Sequence, residues 1–282
     1  MTNSSVPAGE PFGVFTVDVE DWYHPLIKDP SRWSECEERI GPPTVAMCER
    51  LEAGNHRGTF FVLGWVADRR PDLIHRILAG GHEVGCHGYD HLSLKWVDAS
   101  RFRADLERAR AALRNAGADD VIAYRAPYFS LDRTTSWALP ILADHGFRID
   151  SSLFPLRTGY YGQGGAMNRP HRIGAIIEAP IVLPTFFGVR LPLAGGFYSR
   201  FFPASWTLSG VRRVLTQGGH PVFYVHPWEL DPDHPRILVG RFLTYRHYLR
   251  LERTGEILQE LLSTWRWRSL RDGVASLEGG LQ

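Results

Sequence analysis

Residues 71–91 read PDLIHRILAGGHEVGCHGYDH, and this stretch decides the fold. Pro71 to Ala79 carries apolar residues at helical spacing, with Pro at the start, where its missing N–H is harmless. Gly80-Gly81 stops the helix. A short apolar strand, His82 to Cys86, follows at once, and polar residues begin with His87. Helix, glycine, strand and polar residue form the repeating unit of a parallel α/β fold, because parallel strands need a crossover between them.

The unit recurs on both sides. Phe12–Val17 and Thr59–Leu63 read as buried strands, separated by a helix over Pro43–Glu52 that Gly54 closes. Ser100–Asn115 is the clearest amphipathic helix, ended by Gly117 and followed by a strand over Val121–Tyr124. Thr134–His145 reads as a helix interrupted by Pro140, then a strand over Phe147–Ile149. Ser205–Gln217 reads as a helix ahead of a strand over Pro221–Val225. Residues 156–200 break this rhythm with Gly and Pro, and their apolar runs Ala175–Leu183 and Phe186–Leu193 read as strands with a long loop. Phe242–Trp267 has helical spacing and is expected to pack on the rest. The pattern predicts a βα barrel or a doubly wound sheet, in a single domain over 1–282 whose C-terminal extension is 231–282.

Composition bounds the function. The chain has 282 residues, 44% hydrophobic and 22% charged, which suits one globular α/β domain. A net charge of +1 with interspersed signs lacks the basic stripe of a nucleic-acid protein. Cys36, Cys48 and Cys86 form neither a disulfide framework nor a zinc pattern. The opening MTNSSVPAGEPFG is not a secretory signal, and no run reaches the length of a membrane helix, so a cytoplasmic location is expected. The sequence assigns no oligomeric state.

Polar residues fall where the predicted strands end: Asp18, His87, Arg125, Asp150 and His226. In parallel barrels those ends share one face, and that face carries the chemistry. His87 and His91 are four apart; on one helical turn both imidazoles would share a face and could hold one metal. TVDVEDW supplies Asp18, Glu20 and Asp21, three carboxylates that repel unless a cation or an Arg compensates. Two His with a carboxylate and open positions suit a divalent metal, zinc by default, and a spare carboxylate suits a general base. Arg125 can hold a carboxylate, and His226 can act as a general acid.

Taken in order, these segments resemble the polysaccharide deacetylases, carbohydrate esterase family four. TVDVED is similar to that family's first motif, HGYDH to its histidine motif, RAPYFS to its Arg-Pro-Pro-Tyr motif, RIDSSLFP to its fourth motif and YVHP to its last, over about residues 12–230. The resemblance implies a distorted (β/α) barrel with seven to eight mostly parallel strands. It implies Asp18 as base, His87 and His91 as metal ligands, and Arg125 orienting Asp18. It also implies that the Tyr128 amide holds an oxyanion, that His226 is the acid and that Asp150 holds the His226 imidazole.

The first motif departs from the family, with Val19 where the metal aspartate usually stands. The carboxylate ligand is then Glu20, which returns to the Asp18 face of the strand, or Asp21 if the strand ends early. The other carboxylate would be an outer neighbour of the metal or tied to Arg125. The strings DVEDWYH, RAPYFS, DSSLFP and HPWE, the loop LAGGFYSR (Leu193–Arg200) and the segment Arg241–Trp267 resemble the exosortase-associated exopolysaccharide branch. Arg200 and Trp228 are candidate substrate contacts, and Trp65, Trp96 and Trp228 candidate sugar platforms or subunit contacts. The implied substrate is an N-acetylated glycan, free or lipid-linked. Two other readings carry different expectations: an allantoinase-like cyclic-amide hydrolase without the metal triad, and a barrel that binds glycan without cleaving it.

Overall fold

The computed structural model describes residues 11–158, 161–193 and 195–277. The first ten residues, on which the reading of the N-terminus partly rests, lie outside the described residues, as do Ala194 of the LAGGFYSR loop and the end of the C-terminal extension.

Strand β1 (Phe12–Val19) is the buried centre of the sheet; every one of its residues is buried, as a strand covered on both faces requires. Helix α1 (Gly41–Ala53) leads to β2 (Gly58–Val62). Helices α2 (Gly64–Arg69) and α3 (Pro71–Ala79) lead to β3 (Glu83–Cys86), and α4 (Ala99–Asn115) to β4 (Ala123–Tyr124). Helix α5 (Ala138–Asp144) precedes β5 (Ile149–Asp150). The predicted Thr134–His145 helix therefore begins four residues later, and Pro140 sits in its first turn, where it interrupts no hydrogen bond.

Residues 156–200 form less strand than their apolar runs predict. Ala175–Leu183 yields only β7 (Ile176–Glu178), paired antiparallel with β6 (His171–Ile173). Phe186–Leu193 yields part of a small separate hairpin, β8 (Thr185–Phe186) and β9 (Val189–Arg190). Next come α6 (Gly196–Phe201), α7 (Ala204–Thr216) and β10 (Val222–Val225). The tail forms α8 (Arg241–Tyr248), α9 (Thr254–Thr264), β11 (Arg266–Arg268) and α10 (Leu270–Ala275). Helical spacing hid β11, which returns to pair with Phe12–Val14 of β1.

The main sheet runs β10-β1-β2-β3-β4-β5-β7-β6, with β11 on β1. All of its pairings are parallel except β6 with β7. The expected distorted barrel is thus a curled, open half-barrel. Gly195 bridges to Tyr224 on the free edge of β10, and there a Cβ would lie 2.0 Å from the Tyr224 carbonyl oxygen, so only glycine fits. Parallel pairing brings the C-terminal strand ends together. Asp18 lies within the end of β1, His87 just after β3, Arg125 just after β4, Asp150 at the end of β5 and His226 just after β10. Among the described residues, no helix is long and apolar enough to cross a membrane.

Candidate active site

Glu20, His87 and His91 converge at the rim of the sheet. Glu20 Oε1 lies 3.0 Å from both His87 Nε2 and His91 Nε2, and all three side chains are buried. The two histidines do not reach this geometry on a helical turn. HGYDH is a loop bent by left-handed backbone at Gly88 (φ 76°) and His91 (φ 52°). Asp105 of α4 braces it by accepting from the Tyr89 and Asp90 amides at 2.8 and 3.0 Å. A side chain at Gly88 would press on Asp105 Oδ2 at 2.9 Å, so the sharp bend and the brace exclude one another for any other residue.

The protonation pattern of the cluster follows from its neighbours. His87 Nδ1 lies 2.8 Å from the Arg125 carbonyl oxygen, which can only accept. Nδ1 therefore carries the hydrogen, and a neutral His87 aims the lone pair of Nε2 at Glu20. Glu20 Oε2 and both ring nitrogens of His91 are buried without a hydrogen-bond partner. Lone pairs and a carboxylate facing one another at 3.0 Å repel unless a positive charge sits among them. Such a donor set, with an outer carbonyl fixing one imidazole, fits a divalent cation.

Asp21 is elsewhere. Its carboxylate accepts from the amides of Trp22, Arg39 and Ile40 at 2.8, 2.7 and 3.0 Å, pinning the chain after β1. Of the two carboxylates left open by the sequence, Glu20 is the one beside both histidines, and Asp21 is tied to backbone rather than to Arg125.

Asp18 stands between the cluster and His226. Its Oδ1 accepts from Arg125 Nη1 at 2.7 Å, and its Oδ2 lies 4.0 Å from His226 Nε2. Arg125 is wholly buried. It also donates to Thr16 Oγ1, the Ser151 carbonyl and Ser151 Oγ, and its guanidinium covers the Phe61 ring at 4.3 Å. Two strands and a loop thus fix one Asp18 oxygen and leave the other facing the site.

Asp150 does not meet His226. It accepts from Ser152 Oγ at 2.5 Å and stands beside Glu178 in the β5–β7 register. Burial and the Asp150 charge push Glu178 well above the usual carboxylate range, so Glu178 keeps a proton that the two facing, otherwise unpartnered oxygens can share. The His226 imidazole is held instead by Glu229, whose Oε1 is 2.8 Å from Nδ1 and 3.0 Å from the His226 amide. Glu229 Oε2 accepts from Arg200 Nε at 2.7 Å, and both partners are 1% exposed. Burial works against the Glu229 charge, but Arg200 and His226 hold its pKa at about 2. Burial likewise opposes a charged His226, while Glu229, Glu20 and Asp18 raise its pKa overall.

The sequence pattern gives Glu229 no role, although its signal lies in HPWE. An acid three residues after a residue that opens a short helix closes a capping box, and this one does. Arg200 is consequently not a substrate contact; its guanidinium is spent on Glu229 and on the carbonyls of Arg246, His247 and Leu249. Trp228 is buried too, stacked between His226 and His247 at 5.1 and 4.0 Å. Trp65 is buried as well, and of the three tryptophans only Trp96 is exposed, at 55%. It packs 5.4 Å from Tyr128, whose ring lies 4.5 Å from His91. Tyr128 itself has left-handed backbone (φ 60°, ψ 19°), which a non-glycine residue adopts only when its surroundings enforce it.

Comparison with known proteins places part of the chain in a family and identifies its fold. Residues 41–149 match the family model described as polysaccharide deacetylase, and residues 151–275 match one described as a domain of unknown function. Over 92 residues the chain is 40% identical to a chitooligosaccharide deacetylase of Sinorhizobium fredii, covering 31% of this chain and 43% of that protein. Over 96 residues it is 29% identical to a peptidoglycan-N-acetylglucosamine deacetylase of Bacillus cereus, covering 34% of this chain and 35% of that one. The alignments thus span less than half of these relatives. A Mycobacterium smegmatis structure assigned as a polysaccharide deacetylase shares the fold with a TM-score of 0.64 at 23% identity, covering 99% of this chain and 94% of that one.

Proposed function

We propose that the chain, whose residues 41–149 belong to the polysaccharide deacetylase family, hydrolyses N-acetyl groups on a glycan with the help of a divalent metal. The observation that carries this reading is the buried, mutually repelling set of Glu20, His87 and His91, set directly beside the Asp18–Arg125 pair. Glu20, His87 and His91 would hold the ion. A divalent ion held there would supply Lewis-acid polarisation of the acetyl carbonyl. Zinc suits two imidazoles and a carboxylate.

The remaining chemistry belongs to the protein. Asp18, its Oδ1 locked by Arg125, uses Oδ2 to take a proton from the attacking water. The Tyr128 amide, presented by left-handed backbone, supports the developing oxyanion. His226 lies across from Asp18 with Nδ1 bonded to Glu229, so Nε2 faces the site and can give its proton to the departing amine. Arg200 balances the charge of Glu229 from behind. Asp150 accepts from Ser152 Oγ, which in turn accepts from the Ala126 amide and so braces the chain directly after Arg125. Trp96 and Tyr128 offer apolar ring faces beside His91 for a sugar. The resemblance of DVEDWYH, HPWE and the tail to the exosortase-associated branch makes an acetylated exopolysaccharide, free or lipid-linked, the natural substrate.

The reading is tested by incubating the protein with N-acetylglucosamine oligomers and with acetylated exopolysaccharide, then following free acetate and product mass. Loss of an acetyl mass with matching acetate supports it. Glycan binding without acetate release supports the binding-only barrel, and ring opening of a cyclic amide supports the allantoinase-like one.

A further inference from the structure

An aromatic surface on α6, α7 and α8 has no part in the site. Phe201, Trp206 and Tyr245 are 44, 49 and 51% exposed. Their rings join through Phe197 and Phe202, with centroids 5.1 to 6.4 Å apart. Leu238, just ahead of α8, is 88% exposed, and Phe187 at the tip of the β8–β9 hairpin is fully exposed. That hairpin is held on α7, where Arg213 donates to the Thr185 carbonyl and covers Phe186 at 4.9 Å. A monomer that left so many large apolar side chains in water would gain nothing from them, so the surface meets something.

Charge identifies what it meets. Acids and bases nearly balance over the chain, 31 against 32, yet residues 197–216 and 236–250 hold seven Arg and no Asp or Glu. Arg200 is committed to Glu229, Arg213 to the Thr185 carbonyl and Arg246 to Tyr161, which leaves the exposed Arg212, Arg236, Arg241 and Arg250 without an acid on these segments. A two-fold pairing of this face with a second copy would set the same arginines against each other. Protruding aromatic and aliphatic side chains on segments that carry guanidinium groups and no acid match the boundary between lipid headgroups and acyl chains in an anionic leaflet.

We propose that this face docks the protein peripherally on an anionic lipid bilayer. Arg200 on α6 and His247 on α8 also border Glu229 and Trp228, so the docking face and the His226 side of the site share walls. Docking would hold the site close to glycan at the membrane surface. The proposal stands apart from the deacetylation reading, and either can fail alone.

The test is co-sedimentation of the full chain with vesicles of phosphatidylcholine alone, or of phosphatidylcholine with an equal part of phosphatidylglycerol. The expected result is sedimentation with the anionic vesicles, weakened by high salt. The Phe201→Ser/Trp206→Ser/Tyr245→Ser variant should keep the wild-type circular dichroism spectrum and lose about tenfold or more of the partitioning. An Arg236→Ser/Arg241→Ser/Arg250→Ser variant, altered only at exposed arginines, should lose a similar amount. Failure of the wild type to sediment with anionic vesicles overturns the proposal. So does light scattering that shows a dimer abolished by the aromatic substitutions while vesicle binding is unchanged.

Discussion

Replacing Glu229 with Gln tests the arrangement around His226 at nearly constant shape. The wild-type carboxylate accepts from His226 through Oε1 and from Arg200 through Oε2, with Glu229 and Arg200 buried and His226 partly open to the site. Folding moves its pKa from 4.5 to about 2, which corresponds to about 3 kcal/mol of stabilisation. Because the folded value is the lower one, this stabilisation is fully present above about pH 4.5 and is lost as pH falls toward 2. Leaving Arg200 buried and unpaired costs a similar amount, about 3–5 kcal/mol, seen from the partner's side and not to be added. The assay is urea unfolding followed by circular dichroism at several pH values. E229Q should be about 3 kcal/mol less stable than wild type at pH 7, with the gap narrowing below about pH 4.5. Its acetate release should fall by about two orders of magnitude, because His226 loses the charge that favours its protonated form. A gap below about 1 kcal/mol that ignores pH would refute the buried Arg200–Glu229–His226 chain.

Asp18→Asn should keep bound metal and lose turnover by about 10²- to 10⁴-fold, and near-normal acetate release in that variant would remove Asp18 as base. Glu20→Gln should lower metal content at a fixed metal concentration, whereas Asp21→Asn should leave it intact and instead lower the melting temperature by weakening the acceptor of three buried amides; the reverse outcome would return the ligand role to Asp21. Trp96→Ala should raise KM for N-acetylglucosamine oligomers about tenfold with little change in kcat, and an unchanged KM would place the sugar elsewhere.

The fold was legible because its units are punctuated. Gly80-Gly81, Gly117 and Gly146 each end a helix ahead of a strand, and parallel pairing then gathers the strand ends without further information. Two-residue strands such as β8 and β9 leave no periodic signal, and β11 was masked by the helical spacing of α8 and α9. In the site, strand-end position alone groups Asp18, His87, Arg125, Asp150 and His226, and spacing adds His91. The route was partly wrong: HGYDH converges through left-handed backbone at Gly88 and His91, not through a helical turn. Asp150 was assigned to His226 by resemblance, whereas Glu229 occupies that role in space, three residues along the same short helix. The burial of Arg200 and Trp228 depends on where α6 and α8 pack, which no local pattern reveals. Glu178 was hidden inside an apolar run, and only its register with Asp150 exposes it.

The most direct test of the central claim is acetate release from N-acetylglucosamine oligomers, followed before chelation, after it, and after zinc is returned, with metal content determined on each sample. Release should disappear with the chelator and recover with metal, in step with one ion per chain lost and regained. Acetate release that persists in metal-free protein, or a protein that binds no metal at Glu20, His87 and His91, would contradict it.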